Sequence, residues 1–339
     1  MNPLRAAVVG AGAWGTALAD LLAEIGHEVA LWVFEEDLCA RMARARENDL
    51  YLPGKALHPG LRFTSDLAEA ASAGQDLILS VMPSHVARAL WRRLAPAVHE
   101  EAVLLSATKG IEERTLSLPT QIIEDCLRAA GAPARSLACI SGPTFAREVA
   151  GRKPTALVAA SEDERTAWLV QEAFAASCLR VYTGGDPLGT QLGGALKNVI
   201  ALAAGIADGL SLGANARAAL IVRGLAEMGR LGAAMGGRAE TLAGLAGMGD
   251  LVLTCTGDLS RNRTVGLRLG RGERLKDILA SMTAVAEGVQ SAPAAVRLAE
   301  RHGVEMPICR EVRAVLFEGK PPQEAVRDLM ARPLKAETG

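Results

Sequence analysis

The sequence predicts an α/β N-terminal domain with a mostly parallel sheet, followed by an all-α C-terminal domain. Up to about residue 185, short β-rich runs alternate with helical patterns, as in strands joined by crossover helices. From about residue 186 onward, Ala- and Leu-rich helical patterns follow one another without a clear strand between them. The turn-rich run TGGDPLG at 183–189 separates the two parts. We therefore expect domains at 1–185 and 186–332, with a flexible tail at 333–339.

The elements follow from the local patterns in chain order. Strands of the first domain are predicted at 5–10, 28–34, 61–65, 76–82, 102–107, 136–142, 155–160 and 179–183. Helical patterns between them include 16–25, 85–94 and 118–130. Helices of the second domain are predicted at 188–209, 214–233, 238–246, 261–270, 274–280, 290–302, 308–317 and 321–331.

Composition and charge argue against several classes of protein. The formal net charge is −1 and there is no dense run of Lys and Arg, which disfavours nucleic acid or an anionic membrane as the main partner. The six cysteines are scattered and form no C-x-x-C, so we expect neither a disulfide framework nor a metal site. The start lacks the layout of a signal peptide, and no uninterrupted apolar run reaches about 18 residues. We expect a cytoplasmic protein with no integral membrane segment.

A glycine loop follows the first predicted strand. The run VVGAGAWGTAL places Gly10, Gly12 and Gly15 in the spacing G-x-G-x-x-G, directly before a predicted helix. These glycines permit a tight turn, close approach of the backbone to a pyrophosphate, and close packing of the helix on the strand. In this strand–helix context the loop predicts dinucleotide binding, whereas the alternative is a turn that is merely rich in glycine.

An acidic residue follows the second predicted strand and bears on the choice of cofactor. Glu35 lies twenty residues after Gly15, where a carboxylate can accept a hydrogen bond from the adenosine ribose 2′-OH and repel a 2′-phosphate. No Arg or Lys occurs between residues 29 and 40. The pattern favours NAD(H) over NADP(H), although Glu35 and Glu36 could instead start a helix.

A lysine lies in the middle of the apolar helical run GALKNVIALAAG. In a helix over 188–209, Lys197 shares a face with small and apolar residues that include Gly193, Gly194 and Ala201. A lysine there must extend to solvent, form an ion pair or accept a lowered pKa. A lysine whose pKa approaches neutrality is suited to proton transfer, and an extended, solvated side chain is the alternative.

Three further polar groups are candidates for a ligand site. Lys109 directly follows an apolar strand, where either a solvated lysine or a ligand contact is expected. Asp250 lies between apolar runs in LAGMGDLVLTCTG. The run DLSRNRTVG begins a helix, with Ser260 or Asp258 as its cap and with basic residues in its first turn, where cations are unfavourable unless an anion binds. A phosphate site or a charged, solvent-facing turn would each explain it.

These motifs together resemble the NAD(P)-dependent sn-glycerol-3-phosphate dehydrogenase family. The matching runs span most of the chain in the order found in that family: GAGAWGTALA, YLPG, SATKGIE, SGPTFAREV, GGALKNVIALAAGIADGL, GLAGMGDLVLTCTG, SRNR and AEGVQSA. The resemblance implies a Rossmann-like domain followed by a helical domain like that of 6-phosphogluconate dehydrogenase, with the active site between them. It also implies a homodimer that supplies glycerol phosphate for phospholipid synthesis.

The resemblance assigns roles to individual positions. It makes Lys197 the proton donor and acceptor for dihydroxyacetone phosphate and sn-glycerol 3-phosphate. The other residues expected to act in catalysis are Lys109, Asp250 and Asn198. Substrate contacts are expected at Lys109, Gly142, Thr144, Lys197, Asp250, Thr254, Ser260, Arg261 and Asn262, with the phosphate on Arg261 and Asn262. Cofactor contacts are expected at Gly10, Gly12, Ala13, Trp14, Gly15, Phe34, Glu35, Lys109, Ala146, Arg261, Val285 and Glu287.

One position departs from the family pattern. Many bacterial members carry a basic residue or histidine where this chain has Phe34, and the run WVFEED instead resembles the eukaryotic, NAD-using branch. Two other functions stay open. A dehydrogenase of sugar acids or hydroxy acids is disfavoured by SRNR and GGALKNVIAL, and a non-catalytic NADH sensor would need no buried lysine.

Overall fold

The computed structural model describes residues 2–73, 76–283, 285–334 and 336–337. Its strands are β1 (Arg5–Val9), β2 (Glu28–Trp32), β3 (Glu47–Asn48), β4 (Leu52–Ala56), β5 (Arg62–Thr64), β6 (Leu77–Ser80), β7 (Val103–Ser106), β8 (Leu137–Ser141), β9 (Thr155–Ala160) and β10 (Leu179–Gly184). Of the tail predicted at 333–339, residues 335, 338 and 339 lie outside the described residues.

Eight of these strands form one sheet in the order β10-β9-β8-β7-β6-β1-β2-β5. Every neighbouring pair is parallel except β8 and β9, which are antiparallel. The prediction of a mostly parallel sheet is confirmed, and its eight strands lie within a few residues of the predicted ranges. The sequence did not predict β3 and β4, a short antiparallel pair outside the sheet. The two residues of β3 carry no period-2 pattern, and the five residues of β4, LPGKA, contain Pro and Gly and do not alternate between buried and exposed positions.

Helices of the first domain cover both faces of the sheet. They are α1 (Ala13–Glu24), α2 (Glu36–Ala45), α3 (Leu67–Ala73), α4 (Ser84–Leu94), α5 (Pro119–Ala129), α6 (Ala146–Ala150) and α7 (Glu164–Ala173). Two apolar clusters fill the space between sheet and helices, and they are built on alternate residues of β1, such as Val8 in one and Val9 in the other. This is the layering expected when crossover helices join parallel strands.

The second domain is helical throughout its described part, as predicted. Its helices are α8 (Pro187–Gly209), α9 (Gly213–Ala234), α10 (Ala239–Ala243), α11 (Asp250–Thr256), α12 (Arg261–Gly270), α13 (Leu275–Ala280), α14 (Glu287–Arg301), α15 (Pro307–Phe317) and α16 (Pro322–Met330). A π-helical turn at Leu245–Gly249 precedes α11, and neither the turn nor α11 was predicted as such. Helix α8 is the centre of this domain, since each residue from Gly189 to Ala207 is buried.

Candidate functional site

The glycine loop joins β1 to α1 with the geometry that a pyrophosphate requires. Gly10 has φ +123°, and a Cβ on it would lie 2.5 Å from the carbonyl oxygen of Val81. A Cβ on Gly12 would meet nothing within 4 Å, so the backbone is open there. Helix α1 begins after Gly12 without a side-chain cap, which leaves N–H groups of its first turn free for an anion. The residues present therefore fit a dinucleotide.

The short β3–β4 pair supports this loop. Asn48 Nδ2 donates to the carbonyl oxygen of Ala11 at 2.8 Å and to Thr16 Oγ1 at 2.8 Å. Asn48 Oδ1 accepts the N–H of Tyr51 at 3.0 Å. Sequence reasoning did not single out Asn48, since its role depends on a contact with a segment 37 residues away.

Glu35 follows β2, as predicted, and is the N-cap residue of α2. Its Oε1 accepts a hydrogen bond from the Tyr51 hydroxyl at 2.7 Å, which fixes its position. Burial and this carboxylate raise the pKa of Tyr51 to about 12. The neighbouring Phe34 is 71 % exposed and packs edge-on against Trp32, with ring centroids 6.0 Å apart. Tyr51 lies in the motif YLPG, but nothing in the sequence indicated its contact with Glu35.

Lys197 is buried, as its apolar surroundings suggested, and its ammonium group is paired. The residue is 6 % exposed. Its Nζ donates to Asp250 Oδ1 and, at 3.0 Å, to Thr254 Oγ1. Thr254 in turn donates to the carbonyl oxygen of Asp250 at 2.6 Å, so both partners on α11 are fixed relative to each other. Lys197 therefore forms an ion pair inside the domain and is not an extended, solvated lysine.

Lys109 completes a cluster of three charges at the domain junction. It follows β7, and its Nζ donates to Asp250 Oδ2 at 2.6 Å and to the carbonyl oxygen of Gly142 at 3.4 Å. Asp250 is 1 % exposed and thus binds one lysine through each carboxylate oxygen. The carboxyl ends of β7 and β8 meet α8 and α11 at this point.

The charges in this cluster shift one another's pKa. Burial lowers the pKa of Lys197 to about 7, against the attraction of Asp250 and with the help of repulsion from Lys109. Burial alone would raise the pKa of Asp250, but the two lysines hold it below its usual range. The cluster therefore contains a carboxylate that stays ionised beside a lysine that can release its proton near neutral pH.

The N-terminus of α12 is the place where the sequence predicts an anion site. Ser260 is its cap, and the Ser260 Oγ accepts the N–H of Arg263 at 3.2 Å. The guanidinium of Arg261 has no hydrogen bond or ion pair within the described residues. Arg261 is exposed, yet enough protein surrounds it that desolvation lowers its pKa, an effect that Glu287 opposes. A free cation at a helix N-terminus fits a phosphate.

Arg263, in the same turn as Arg261, has carboxylate partners. Its Nε donates to Asp208 at 2.8 Å and its Nη1 to Asp258 at 2.9 Å. The first turn of α12 thus presents one unpaired guanidinium, that of Arg261, in the described part of the chain. The sequence places both arginines in the same turn and does not reveal which of them has a carboxylate partner.

Two asparagines link α8, α12 and α14. Asn198 Nδ2 donates to the carbonyl oxygen of Gly194 at 3.2 Å, and Asn262 Nδ2 donates to Asn198 Oδ1 at 2.9 Å. Asn262 Oδ1 accepts the N–H of Gly288 at 2.9 Å. Asn198 lies next to Lys197 in the chain but forms no hydrogen bond with it in the described residues, so its contact is with the α12 end of the site.

A hydrogen bond between the two domains lies beside Arg261. Ser84 Oγ, at the start of α4, donates to Glu287 Oε2 at 2.9 Å. Burial raises the pKa of Glu287 to about 6. Gly110 has φ +140°, and a Cβ there would lie 2.7 Å from Ser84 Oγ. Val285 lies close to Glu287 in the chain and is 37 % exposed.

The remaining predicted residues lie near the charged cluster of Lys109, Lys197 and Asp250 or near the glycine loop. The backbone of Gly142, at φ +153°, supplies the carbonyl oxygen that Lys109 and Thr144 Oγ1 share, the latter at 3.0 Å. Ala13, Trp14 and Ala146 pack in one apolar cluster beside the glycine loop. Gly15 packs against the backbone of Gly10 in the loop itself.

Two negative findings concern the described residues alone. No group of three or more His, Cys, Asp or Glu side chains is placed to hold a metal ion there. Among the helices assigned in those residues, none combines the length and the apolar character needed to cross a membrane.

Comparison with known proteins agrees with this geometry. Residues 5–167 match the family model described as NAD-dependent glycerol-3-phosphate dehydrogenase N-terminus, and residues 186–327 match the one described as its C-terminus. The chain is 56 % identical over 333 residues to glycerol-3-phosphate dehydrogenase [NAD(P)+] of Syntrophotalea carbinolica, covering 97 % of this chain and 98 % of the relative. It is 54 % identical to the enzyme of the same name from Geobacter sp. strain M21, covering 98 % of each chain.

A solved structure is similar over the same length. The crystal structure of glycerol-3-phosphate dehydrogenase from Coxiella burnetii has a TM-score of 0.93 with this chain at 39 % identity, covering 97 % of this chain and 99 % of the other. The similarity thus extends over both domains and over the junction where the charged cluster lies.

Proposed function

The chain belongs to the NAD-dependent glycerol-3-phosphate dehydrogenase family, and on that premise we propose that it transfers hydride reversibly between NAD(P)H and dihydroxyacetone phosphate. The product of reduction is sn-glycerol 3-phosphate. The observation that carries this proposal is the buried Lys197, whose pKa is lowered to about 7 and which lies on a helix that packs against the Arg261 helix. A carbonyl reduction of a phosphorylated substrate needs both a proton donor and an anion site.

The cofactor supplies the redox chemistry, and the chain positions it. When bound, the nicotinamide donates or accepts the hydride. The free N–H groups after Gly12 would hold its pyrophosphate, and Glu35 would accept a hydrogen bond from the adenosine ribose. Val285, Glu287 and Ala146 would form further parts of the cofactor site.

Lys197 holds the proton that the reduced carbonyl oxygen needs. As negative charge develops on that oxygen, the Lys197 ammonium donates a proton to it, and in the reverse direction the neutral amine removes the proton of the C2 hydroxyl. A pKa near 7 suits both directions because each form of the lysine is well populated at neutral pH.

Lys109 and Asp250 support this step from two sides. Asp250 holds Lys197 through one oxygen and Lys109 through the other, so it fixes both ammonium groups. Lys109 then adds positive charge near the developing alkoxide. The carbonyl oxygen of Gly142 and the Thr254 hydroxyl complete the hydrogen bonds of the two lysines.

Arg261 and the start of α12 bind the phosphate. Arg261 and Asn262 belong to the first turn of α12, and Ser260 is its cap residue. Binding energy from the phosphate is used to orient C2 toward Lys197, which lowers the barrier as well as KM. Thr144 would contact the substrate from the other domain.

The preference for NAD(H) over NADP(H) rests on Glu35. Its carboxylate is held in place by Tyr51 and would repel a 2′-phosphate. We also propose a cytoplasmic homodimer that feeds phospholipid synthesis, with functional domains at 1–185 and 186–332 and a flexible tail at 333–339.

The direct test is the oxidation of NADH by dihydroxyacetone phosphate, followed as a loss of absorbance at 340 nm. We expect turnover with NADH, slower turnover with NADPH, and no turnover with unphosphorylated dihydroxyacetone at the same concentration. Equal rates with both ketones would contradict the phosphate site, and no oxidation of either cofactor would refute the proposed activity.

A further inference from the structure

Helices α8 and α12 lie side by side and run parallel, in a constant register. Asn262 bonds to Asn198, Gly266 packs on the carbonyl oxygen of Leu202, and Gly270 packs on that of Ile206. In each of these pairs the α12 residue stands 64 positions after its α8 partner. One residue further toward the N-termini, the same register puts Arg261 level with Lys197. The lateral distance between the two helices therefore sets the distance between the proton donor and the anion site.

Four glycines bring these helices into backbone contact. A Cβ on Gly266 would lie 2.9 Å from the backbone nitrogen of Ile206, and one on Gly270 would lie 2.5 Å from the carbonyl oxygen of Ile206. On α8, a Cβ on Gly205 would lie 2.8 Å from the backbone nitrogen of Leu267, and one on Gly209 would lie 2.9 Å from Gly270 Cα. In each case the obstacle is backbone, so any side chain at these positions forces the helices apart.

An ion pair also holds the first turn of α12 against the C-terminal part of α8. Asp208, near the end of α8, accepts Arg263 Nε at 2.8 Å, and its other oxygen accepts Arg217 Nη1 at 2.8 Å. Arg263 lies two residues after Arg261, so this contact restrains the turn that carries the anion site. Asp208 itself lies far along α8 from Lys197 and is outside the charged cluster.

We propose that Gly205, Gly209, Gly266, Gly270 and Asp208 are positioning residues that determine the length of substrate the enzyme accepts. The proposal rests on the proposed function. A substrate must reach Lys197 with its carbonyl oxygen and Arg261 with its phosphate at the same time. Because a misplacement of about 1 Å costs about 10²-fold in rate, a small change in helix separation changes which chain length fits.

The test compares two substrates in the Gly266→Ala and Gly205→Ala variants. One is dihydroxyacetone phosphate, and the other is its homologue with one more methylene between the carbonyl and the phosphate. We expect kcat/KM for dihydroxyacetone phosphate to fall about 100-fold and that for the homologue to fall less than about tenfold. The ratio of kcat/KM for the homologue to kcat/KM for dihydroxyacetone phosphate therefore rises at least about tenfold. KM for NADH stays within about twofold of the wild-type value. The control is Gly229→Ala, at a helical position of α9 where a Cβ meets nothing within 4 Å, and its ratio should equal that of the wild type.

A general loss of structure would lower both activities together and would leave the ratio unchanged. Stoichiometric NADH binding, followed by fluorescence, shows that each variant is folded. An unchanged ratio in folded glycine variants overturns the proposal. If neither variant folds, Asp208→Asn provides the test, since it adds no heavy atoms to the contact. A homologue-to-dihydroxyacetone phosphate ratio raised about threefold or more supports the proposal, and an unchanged ratio refutes it. Wild-type reduction of dihydroxyacetone phosphate is measured first, so that failure of the proposed function is recognised separately.

Discussion

The helical domain buries two carboxylates to the same degree, and their surroundings give them opposite properties. Asp250 is 1 % exposed and Glu227 is 2 % exposed. Asp250 contacts two lysine ammonium groups, which hold its pKa below the usual range. Glu227 accepts the N–H groups of Ile308 at 2.6 Å and Cys309 at 3.2 Å at the start of α15, and burial raises its pKa to about 7.

The difference lies in what compensates for the lost hydration. The two lysine ammonium groups offset the desolvation cost of Asp250, so Asp250 stays ionised. Its negative charge in turn raises the pKa of Lys197 against the effect of burial. Two backbone N–H groups at a helix N-terminus offset only part of the desolvation cost of Glu227. Through these hydrogen bonds, Glu227 holds α9 against α15. Substitutions at the first site should therefore change turnover, whereas substitutions at the second should change stability.

The largest effect is expected from Lys197→Met. The methionine keeps much of the apolar stem but removes the proton donor, so kcat should fall by about 10³-fold or more at pH 7. NADH binding, measured by fluorescence, should stay within about twofold because the glycine loop is unchanged. Lys153→Met removes an exposed lysine in the same way and serves as the control. Turnover near the wild-type value would exclude Lys197 from the proton transfer.

Asp250→Asn should have the next largest effect. The amide keeps the shape of the carboxylate but removes the charge that stabilises the Lys197 ammonium, so the pKa of Lys197 falls further. We expect kcat for reduction at pH 7 to fall about 10- to 100-fold, with part of the loss recovered at pH 6. Asp277→Asn, at an exposed ion pair, is the matched control. A loss that is equal at both pH values would show that Asp250 does not act through the protonation of Lys197.

A smaller effect is expected from pH in the wild-type protein. Reduction needs protonated Lys197, whose pKa is about 7. The rate of reduction should therefore fall above pH 7, by about fivefold over the first pH unit and about tenfold for each further unit, and the rate of oxidation should fall below pH 7. Initial rates at saturating substrate in the two directions measure this. A reduction rate that is constant from pH 7 to 9 would contradict the assignment.

The smallest effect is expected at Glu227, and it concerns stability. The folded protein holds a proton on Glu227 up to pH about 7, whereas the unfolded chain releases it near 4.5. The contribution of this residue to stability therefore decreases as pH rises from 4.5 to 7 and stays low above that range. In Glu227→Gln this decrease, about 1 to 3 kcal/mol across the window, should be absent from the free energy of unfolding in urea. The kcat/KM value should stay within about twofold of wild type, and a tenfold loss would mean that the two sites are coupled.

The sequence predicted the parts of the molecule that depend on local pattern. The eight strands of the sheet and the glycine loop follow from short-range periodicity and spacing. The apolar surroundings of Lys197 also follow, but the sequence left open whether its side chain extends to solvent or is buried, and the structure shows it buried. The positions of Lys109 and Asp250 were candidates, but their mutual contact joins residues 141 positions apart and no local pattern encodes it.

What the sequence left open depends on partners from distant segments. The antiparallel pairing of β8 with β9 depends on how the chain crosses the sheet and not on the strands themselves. Arg261 and Arg263 look alike in the motif SRNR, and they differ because Asp208 lies beside one of them. Asn48 supports the glycine loop and Tyr51 supports Glu35, and both residues come from the β3–β4 element, whose strands show no alternating pattern.

The contact between Lys109 and Asp250 joins the two domains, and this has a consequence for motion. If the domains separated, Lys109 would leave Asp250, and its repulsion of Lys197 would disappear. Water would also reach Lys197, and both changes would raise the proton affinity of its amine. Opening of the cleft would therefore load the lysine with a proton and closure would make the same proton easier to release. The acid strength of Lys197 therefore depends on how far the domains are closed. An enzyme held open would be a poorer proton donor even with its substrate in place.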